Sequence, residues 1–445
     1  RLLPILTILY LLSFLDRSNI GNAKLDGLTT DLGVSGPAYN TSLALYFIGY
    51  VIFEVPSNVR RFNPQFWLPL LTLVWGIVSV CQGLVTNQAS LLGIRFLLGV
   101  TEAGLFPGCV YLFSVYYRRH ERHWRVATFF GAAALAGAFG GILAFAIGKM
   151  DGIGGKRGWA WIFILEGLLT IVVSIGAFFV VPTWAYKAKF LTESERERLL
   201  SRLAADSDAA AKETFAWKYV VQALTDPLVW GYALLFHGYA FALYSLSLFL
   251  PTIIAGLGFA SWQAQLLTVP PYAVASLGIW MAAWHSAKTR LRAPYIVGSA
   301  GVAIIGNYII HGIAGAQYFG VHLATLGVYV GNALLLSWPS ENISGQTKRA
   351  TGVAMQIGIG DLGAVTGVLL YRPSFSGHQF RKPHIISIGY LVFAIVIASV
   401  LWAWMSRENR RREREISDGE GWDESTSPEK AVELGDRHIL WRYQL

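Results

Sequence analysis

The chain has 445 residues, of which 54% are hydrophobic and only 14% charged, with a formal net charge of +9. Mean hydropathy is +0.46. Soluble domains carry about 25% charged residues, so this balance excludes an ordinary water-soluble fold. The two cysteines, Cys81 and Cys109, both lie in apolar runs, which leaves no disulfide framework and no zinc ligand set.

Near-uncharged runs of about 20 residues, the length that crosses a hydrocarbon core, recur along the chain. They predict spans at 2–22, 37–58, 66–86, 89–116, 125–148 and 159–181, then at 228–250, 264–286, 294–312, 318–338, 350–371 and 385–405. The first is too long for a cleavable signal peptide, lacks a small-residue cleavage site, and carries Asp16-Arg17-Ser18-Asn19 inside it. A cytosolic leader is expected ahead of Arg1. The fold class is therefore an all-α membrane protein with twelve transmembrane helices in two six-helix bundles, 1–181 and 227–406. A cytosolic linker, 182–226, joins them and a cytosolic tail, 407–445, follows.

In the linker, Thr192 with Glu195 three residues on reads as a capping box that opens a short surface helix. Span five contains Gly137-Ala-Phe-Gly-Gly and span eleven Gly360-Asp-Leu-Gly-Ala, small-residue segments that let helices approach closely at matching places in two related halves. The 415–430 stretch reads as disordered, whereas the aromatic end, 434–445, is expected to dock on the cytosolic face.

The basic residues are distributed unevenly. Loops following even-numbered spans, with the 407–414 stretch of the tail, hold 23 Lys and Arg, against 7 in the loops between odd and even spans. That asymmetry places both termini in the cytosol and accounts for the net charge as a topology signal, without nucleic acid.

Ionisable residues inside spans each cost roughly 2.5–3.5 kcal/mol near the bilayer centre, so each needs a partner, a wet cavity or a task. Asp16, Arg17, Glu54, Arg95, Glu102, Glu166 and Asp361 are of this kind. Arg95 and Glu102, seven residues apart, share one face of span four. If spans one and four face each other, two guanidinium groups and two carboxylates meet in one buried site. A guanidinium fork suits an anionic substrate, and a carboxylate in a partly dry cavity can load and release a proton. The competing reading is a set of structural ion pairs that fix helix register. Glu54, before Pro56-Ser57-Asn58, fits capping or gating; Glu166 fits neutralisation of a helix neighbour. Tyr50, one turn from Glu54, and His237 in span seven are further cavity candidates.

Asp16-Arg-Ser-Asn-Ile-Gly-Asn-Ala, Phe53-Glu-Val-Pro-Ser-Asn, Arg95-Phe-Leu-Leu-Gly-Val-Thr-Glu-Ala-Gly and Trp159-Ala-Trp-Ile-Phe-Ile-Leu-Glu-Gly-Leu resemble the anion:cation symporters of the major facilitator superfamily. With Ser337-Trp-Pro-Ser-Glu-Asn and the Gly435-Asp-Arg-His tail, the resemblance is strongest to the fungal allantoate/nicotinate permease branch. It implies protonation at Asp16 and Glu102, substrate contact by Arg17 and Arg95, and a substrate-lining role for Tyr50. Three departures stand out. The loop 58–64 is short, His285-Ser-Ala-Lys-Thr-Arg lacks an acidic gate partner, and Asp361 stands where relatives carry Asn.

These readings converge on a non-enzymatic, proton-coupled symporter of a small organic anion, such as a vitamin or nitrogen-source acid. No cofactor or metal is expected. The protein is expected to be a monomer in the plasma membrane whose partners are the anion, protons and lipid. The alternatives are a uniporter or exchanger of the same substrates, and a non-transporting nutrient sensor in the same fold.

Overall fold

The computed structural model describes residues 2–59, 63–188, 190–204, 216–312, 315–372, 380–418 and 434–445. Residues 60–62 of the short loop and 419–433 of the tail lie outside the described residues, as does Lys189 in the linker. Among the described residues every regular element is helical. The first half contains α1 (Leu2–Leu25), the short α2 (Leu28–Asp31), α3 (Gly36–Val59), α4 (Pro64–Gln82), α5 (Gln88–Glu102), α6 (Leu105–Tyr116), α7 (Arg119–Gly148) and α8 (Gly158–Val180). The linker carries α9 (Glu193–Ala204) and α10 (Trp217–Thr225). The second half follows with α11 (Pro227–Ala255), α12 (Ser261–Leu266), α13 (Val269–Thr289), α14 (Ala293–Gly312), α15 (Gln317–Leu335), α16 (Trp338–Asn342), α17 (Gln346–Leu370) and α18 (Arg381–Ser417).

Eleven helical stretches among the described residues are long and apolar enough to cross a membrane. The 24-residue α3 occupies the place of the expected second span. Three spans are jointed, and proline explains each joint. Pro107 cannot donate a backbone hydrogen bond, and the α5–α6 break falls at Ala103–Gly104, four and three residues before it. Pro270 and Pro271 follow the α12–α13 break, and Pro339 follows the α15–α16 break at Leu336–Ser337. Leu335, whose carbonyl Pro339 cannot reach, accepts instead from Gln356 Nε2 at 3.2 Å.

Packing repeats between the halves. The pairs α1–α7, α1–α8, α3–α5, α4–α8 and α4–α5 have counterparts six spans later in α11–α17, α11–α18, α13–α15, α14–α18 and α14–α15. The seam between the halves is made by α1–α11, α3–α17 and α7–α13. The two glycine segments serve different interfaces. A Cβ on Gly141 would lie 2.4 Å from the Gln265 carbonyl across the seam, while one on Gly363 would lie 2.3 Å from the His237 carbonyl within the second half.

Hydrogen bonds tie the two halves together at both ends of the seam. At the end bearing the linker, His123 Nδ1 of α7 is 2.7 Å from Ser337 Oγ. At the opposite end, Asn40 Nδ2 of α3 donates to the Val368 and Tyr371 carbonyls, and Gln265 Nε2 donates to Asp26 Oδ1 at 2.9 Å.

In the linker, Thr192 and Glu195 form the expected reciprocal cap, Thr192 N–H to Glu195 Oε2 at 2.9 Å and Glu195 N–H to Thr192 Oγ1 at 3.4 Å. The last span runs on to Ser417, well past the apolar stretch, and the end of the chain is docked against it. Arg412 Nη1 donates to the carbonyls of Asp436, His438 and Trp441, and Lys348 bridges Asp226 and Asp436 at 2.6 and 2.7 Å.

Candidate functional site

Buried charged and polar side chains of α1, α3, α5, α11 and α17 gather around Arg17. Arg17 and Glu102 are 4% and 0% exposed, and Arg17 Nη2 donates to Glu102 Oε1 at 2.5 Å. Tyr46 donates to the other Glu102 oxygen at 2.6 Å, and Ser13 donates to Oε1 beside Arg17. The second Arg17 nitrogen, Nη1, donates to Tyr244 of the other half at 2.8 Å. Around the guanidinium stand the rings of Phe14, Tyr46, Tyr50 and Tyr244, with centroids 5.2–5.8 Å from its carbon. Tyr50 thus lies at the cluster. Aromatic faces stabilise the cation without neutralising it.

The charge pairing differs from the one expected along span four. Glu102 is held by Arg17 from a neighbouring helix. Arg95, about 10 Å away along the axis at 1.5 Å per residue, is 1% exposed and faces Tyr46, with 5.7 Å from its carbon to the ring centroid. Its Nε and Nη1 make no hydrogen bond among the described residues. A buried guanidinium left this way retains donors for an anion.

Asp16 points away from Arg17 toward α4. Trp75 Nε1 donates to its Oδ2 at 2.5 Å and Ser79 Oγ to its Oδ1 at 2.9 Å. Asp361 on α17 is 1% exposed, lies within electrostatic range of Arg17 and Glu102, and leaves Oδ1 without a hydrogen bond among the described residues. His237 stands apart from the cluster. Its Nδ1 is 2.9 Å from the Ile359 carbonyl, and its ring lies against Tyr390. Glu166 accepts from Asn19 of α1.

Several site residues were not singled out in the sequence: Ser13, Tyr46, Tyr244, Trp75 and Ser79. Helical spacing carried a signal for most of them. Ser13 precedes Arg17 by four residues, Tyr46 precedes Tyr50 by four, and Trp75 and Ser79 are four apart, so each pair shares a helix face.

A cavity of 560 Å³ adjoins the cluster on the linker side, between α3, α4, α6 and α17. Glu54 and Gly358 border its inner part, and Trp184 and Trp217 line it nearer the linker. Glu54, read from the sequence as fitting capping or gating, is fully buried here and borders the cavity.

Residues 6–368 match the family model described as Major Facilitator Superfamily. The chain belongs to that superfamily. It is 34% identical over 435 residues to the MFS transporter prlL of the fungal strain NRRL 50135, covering 95% of this chain and 88% of that protein. It is likewise 34% identical to the MFS-type transporter cnsO of Penicillium expansum, covering 100% of this chain and 89% of that one. Among solved structures, a bacterial homologue of the human lysosomal transporter Spinster, inward-facing and occupied, superposes with a TM-score of 0.67. At 16% identity, with 90% of this chain and 96% of that one covered, this likeness concerns the fold. The protein is a multi-pass membrane transporter of the superfamily, and not an enzyme.

Proposed function

We propose that this transporter carries a small organic anion together with protons, by alternating access, across the plasma membrane with both termini cytosolic. The observation that carries the reading is the pairing of a salt-bridged Arg17–Glu102 with a second buried guanidinium, Arg95, whose Nε and Nη1 have no hydrogen bond among the described residues. A substrate carboxylate entering this site competes with Glu102 for the Arg17 fork. Once released, Glu102 remains in a desolvated pocket and takes up a proton, so anion binding and proton binding favour each other. Asp16, held by Trp75 and Ser79, is the second proton site in this scheme. The resemblance to anion:cation symporters of the allantoate/nicotinate branch supports the same assignment.

The test uses Glu102→Gln, which mimics the protonated acid permanently. In proteoliposomes this variant is expected to exchange labelled substrate in counterflow, but to lose accumulation driven by an inward proton gradient. Accumulation that persists in the variant removes Glu102 from coupling. A direct substrate-binding measurement on the same preparation separates loss of coupling from misfolding.

A further inference from the structure

The cavity beside the charged cluster has a different chemistry from the cluster itself. Leu68, Val110, Val353 and Met355 stand in its walls, with Gln346, Thr347 and Arg349 on the same lining as Glu54. Its 560 Å³ lies within the range of about 300–1,000 Å³ typical of small-molecule sites. It lies next to the cluster along α3: Glu54, in its wall, is one turn from Tyr50, whose ring centroid is 5.4 Å from the Arg17 carbon. Between the two compartments stands a carboxyl. A carboxylate placed at Arg17 leaves the rest of the molecule that carries it to run past Glu54 toward the linker.

We propose that this cavity holds the body of the carried anion, and that the substrate is an amphiphilic organic acid. Arg17 reads its carboxylate, and an apolar chain or ring system lies between α3, α6 and α17. The proposal rests on the anion reading given above and narrows it, because a small hydrophilic acid would leave these apolar walls without contacts. Burial of each further methylene in such walls is worth about 0.8 kcal/mol, or roughly three- to fourfold in affinity.

The experiment uses the full chain in lipid nanodiscs and measures dissociation constants by calorimetry for the n-alkanoates from butanoate to dodecanoate, and for the matching alkanols. Affinity of the acids is expected to rise about threefold per methylene until the cavity is filled, with the alkanols at least tenfold weaker. Two variants project bulk into the cavity, Ala354→Phe and Gly358→Leu. A Cβ on Gly358 meets only Glu54 Oε2 at 3.4 Å and Val51 Cγ1 at 4.0 Å. Both variants should flatten the length dependence while butanoate still binds, which serves as the check on folding.

Acids preferred over alkanols with no length dependence would overturn the cavity assignment and leave the anion reading standing. Acids and alkanols binding equally would overturn both. Length dependence unchanged in both filled variants would place the body elsewhere. Competition by dioleoylphosphatidylcholine against dodecanoate, but not against butanoate, would give the cavity to a bilayer lipid and overturn the proposal.

Discussion

Arg17 Nη2 and Glu102 Oε1 lie 2.5 Å apart, joining residues 85 positions distant in the chain within a fully buried setting. Removing one partner of such a pair strands a buried charge and costs roughly 3–5 kcal/mol, whereas removing both is far milder. Arg17→Gln should therefore lower thermal stability, and Arg17→Gln with Glu102→Gln should restore most of it without restoring uptake. Arg17→Lys should keep the protein folded but transport poorly, because an ammonium cannot reproduce the planar fork. Equal transport of a substrate and its uncharged amide would refute the role given to Arg17.

Asp361 adds an acid to a cluster already rich in carboxyls. Asp361→Asn is expected to leave uptake intact and, if this carboxyl carries a proton in the cycle, to lower the number of charges moved per substrate. Flux and current measured on the same proteoliposomes decide the matter. No change in either makes Asp361 a packing residue.

Gly99 sits one turn before Glu102, where α3 and α5 cross. A Cβ there would fall 2.0 Å from the Tyr46 carbonyl oxygen. Gly99→Ala should push the helices apart, cost about 1–3 kcal/mol, and withdraw the Tyr46 hydroxyl from Glu102. Gly93 in the same helix has open space around its Cβ position, so Gly93→Ala should match wild type. Thermal unfolding and uptake of the two variants side by side test this.

At the end away from the linker, burial pushes the Asp26 carboxyl up to about 6 from its ordinary 3.8, with the Gln265 hydrogen bond opposing and Asp151 adding to the shift. The sign follows from linkage. The charged acid is disfavoured in the closed contact, so closure is penalised above pH 6 and relieved as pH falls from about 6 toward 4. Spin labels at Thr30 and Trp262, in a background lacking Cys81 and Cys109, should report a larger closed population at pH 4.5 than at 7.5. Asp26→Asn should abolish that difference.

The spans and the buried acids were legible because hydropathy and charge are local properties of the chain. Thr192 and Glu195 were legible for the same reason, since a cap is settled within four residues. The partner of Glu102 was not. Spacing along span four shows that Arg95 and Glu102 share a face, but the helix that meets this face is decided by close contacts such as Gly99 on Tyr46, which only the three-dimensional packing reveals. Ser13 and Tyr46 lay within reach of the same periodicity argument applied to Arg17 and Tyr50. The joints after α5, α12 and α15 were foreshadowed by Pro107, Pro270 and Pro339, yet high hydropathy ran straight across them.

The joint at Ala103–Gly104 divides labour within a single span. Upstream of it α5 carries Arg95 and Glu102 and packs on α3 and α4; downstream, α6 contributes Pro107, Val110, Tyr111 and Ser114 to the cavity wall. Because the backbone ladder is interrupted between them, a substitution in α6 can reshape the cavity without transmitting a rotation to the salt bridge. In the proposed mechanism, charge recognition and size selection therefore fall on separate modules of one helix. Paralogues built on this plan could diversify what they carry by altering the α6 wall, while the Arg17–Glu102 pair proposed here for coupling stays unchanged.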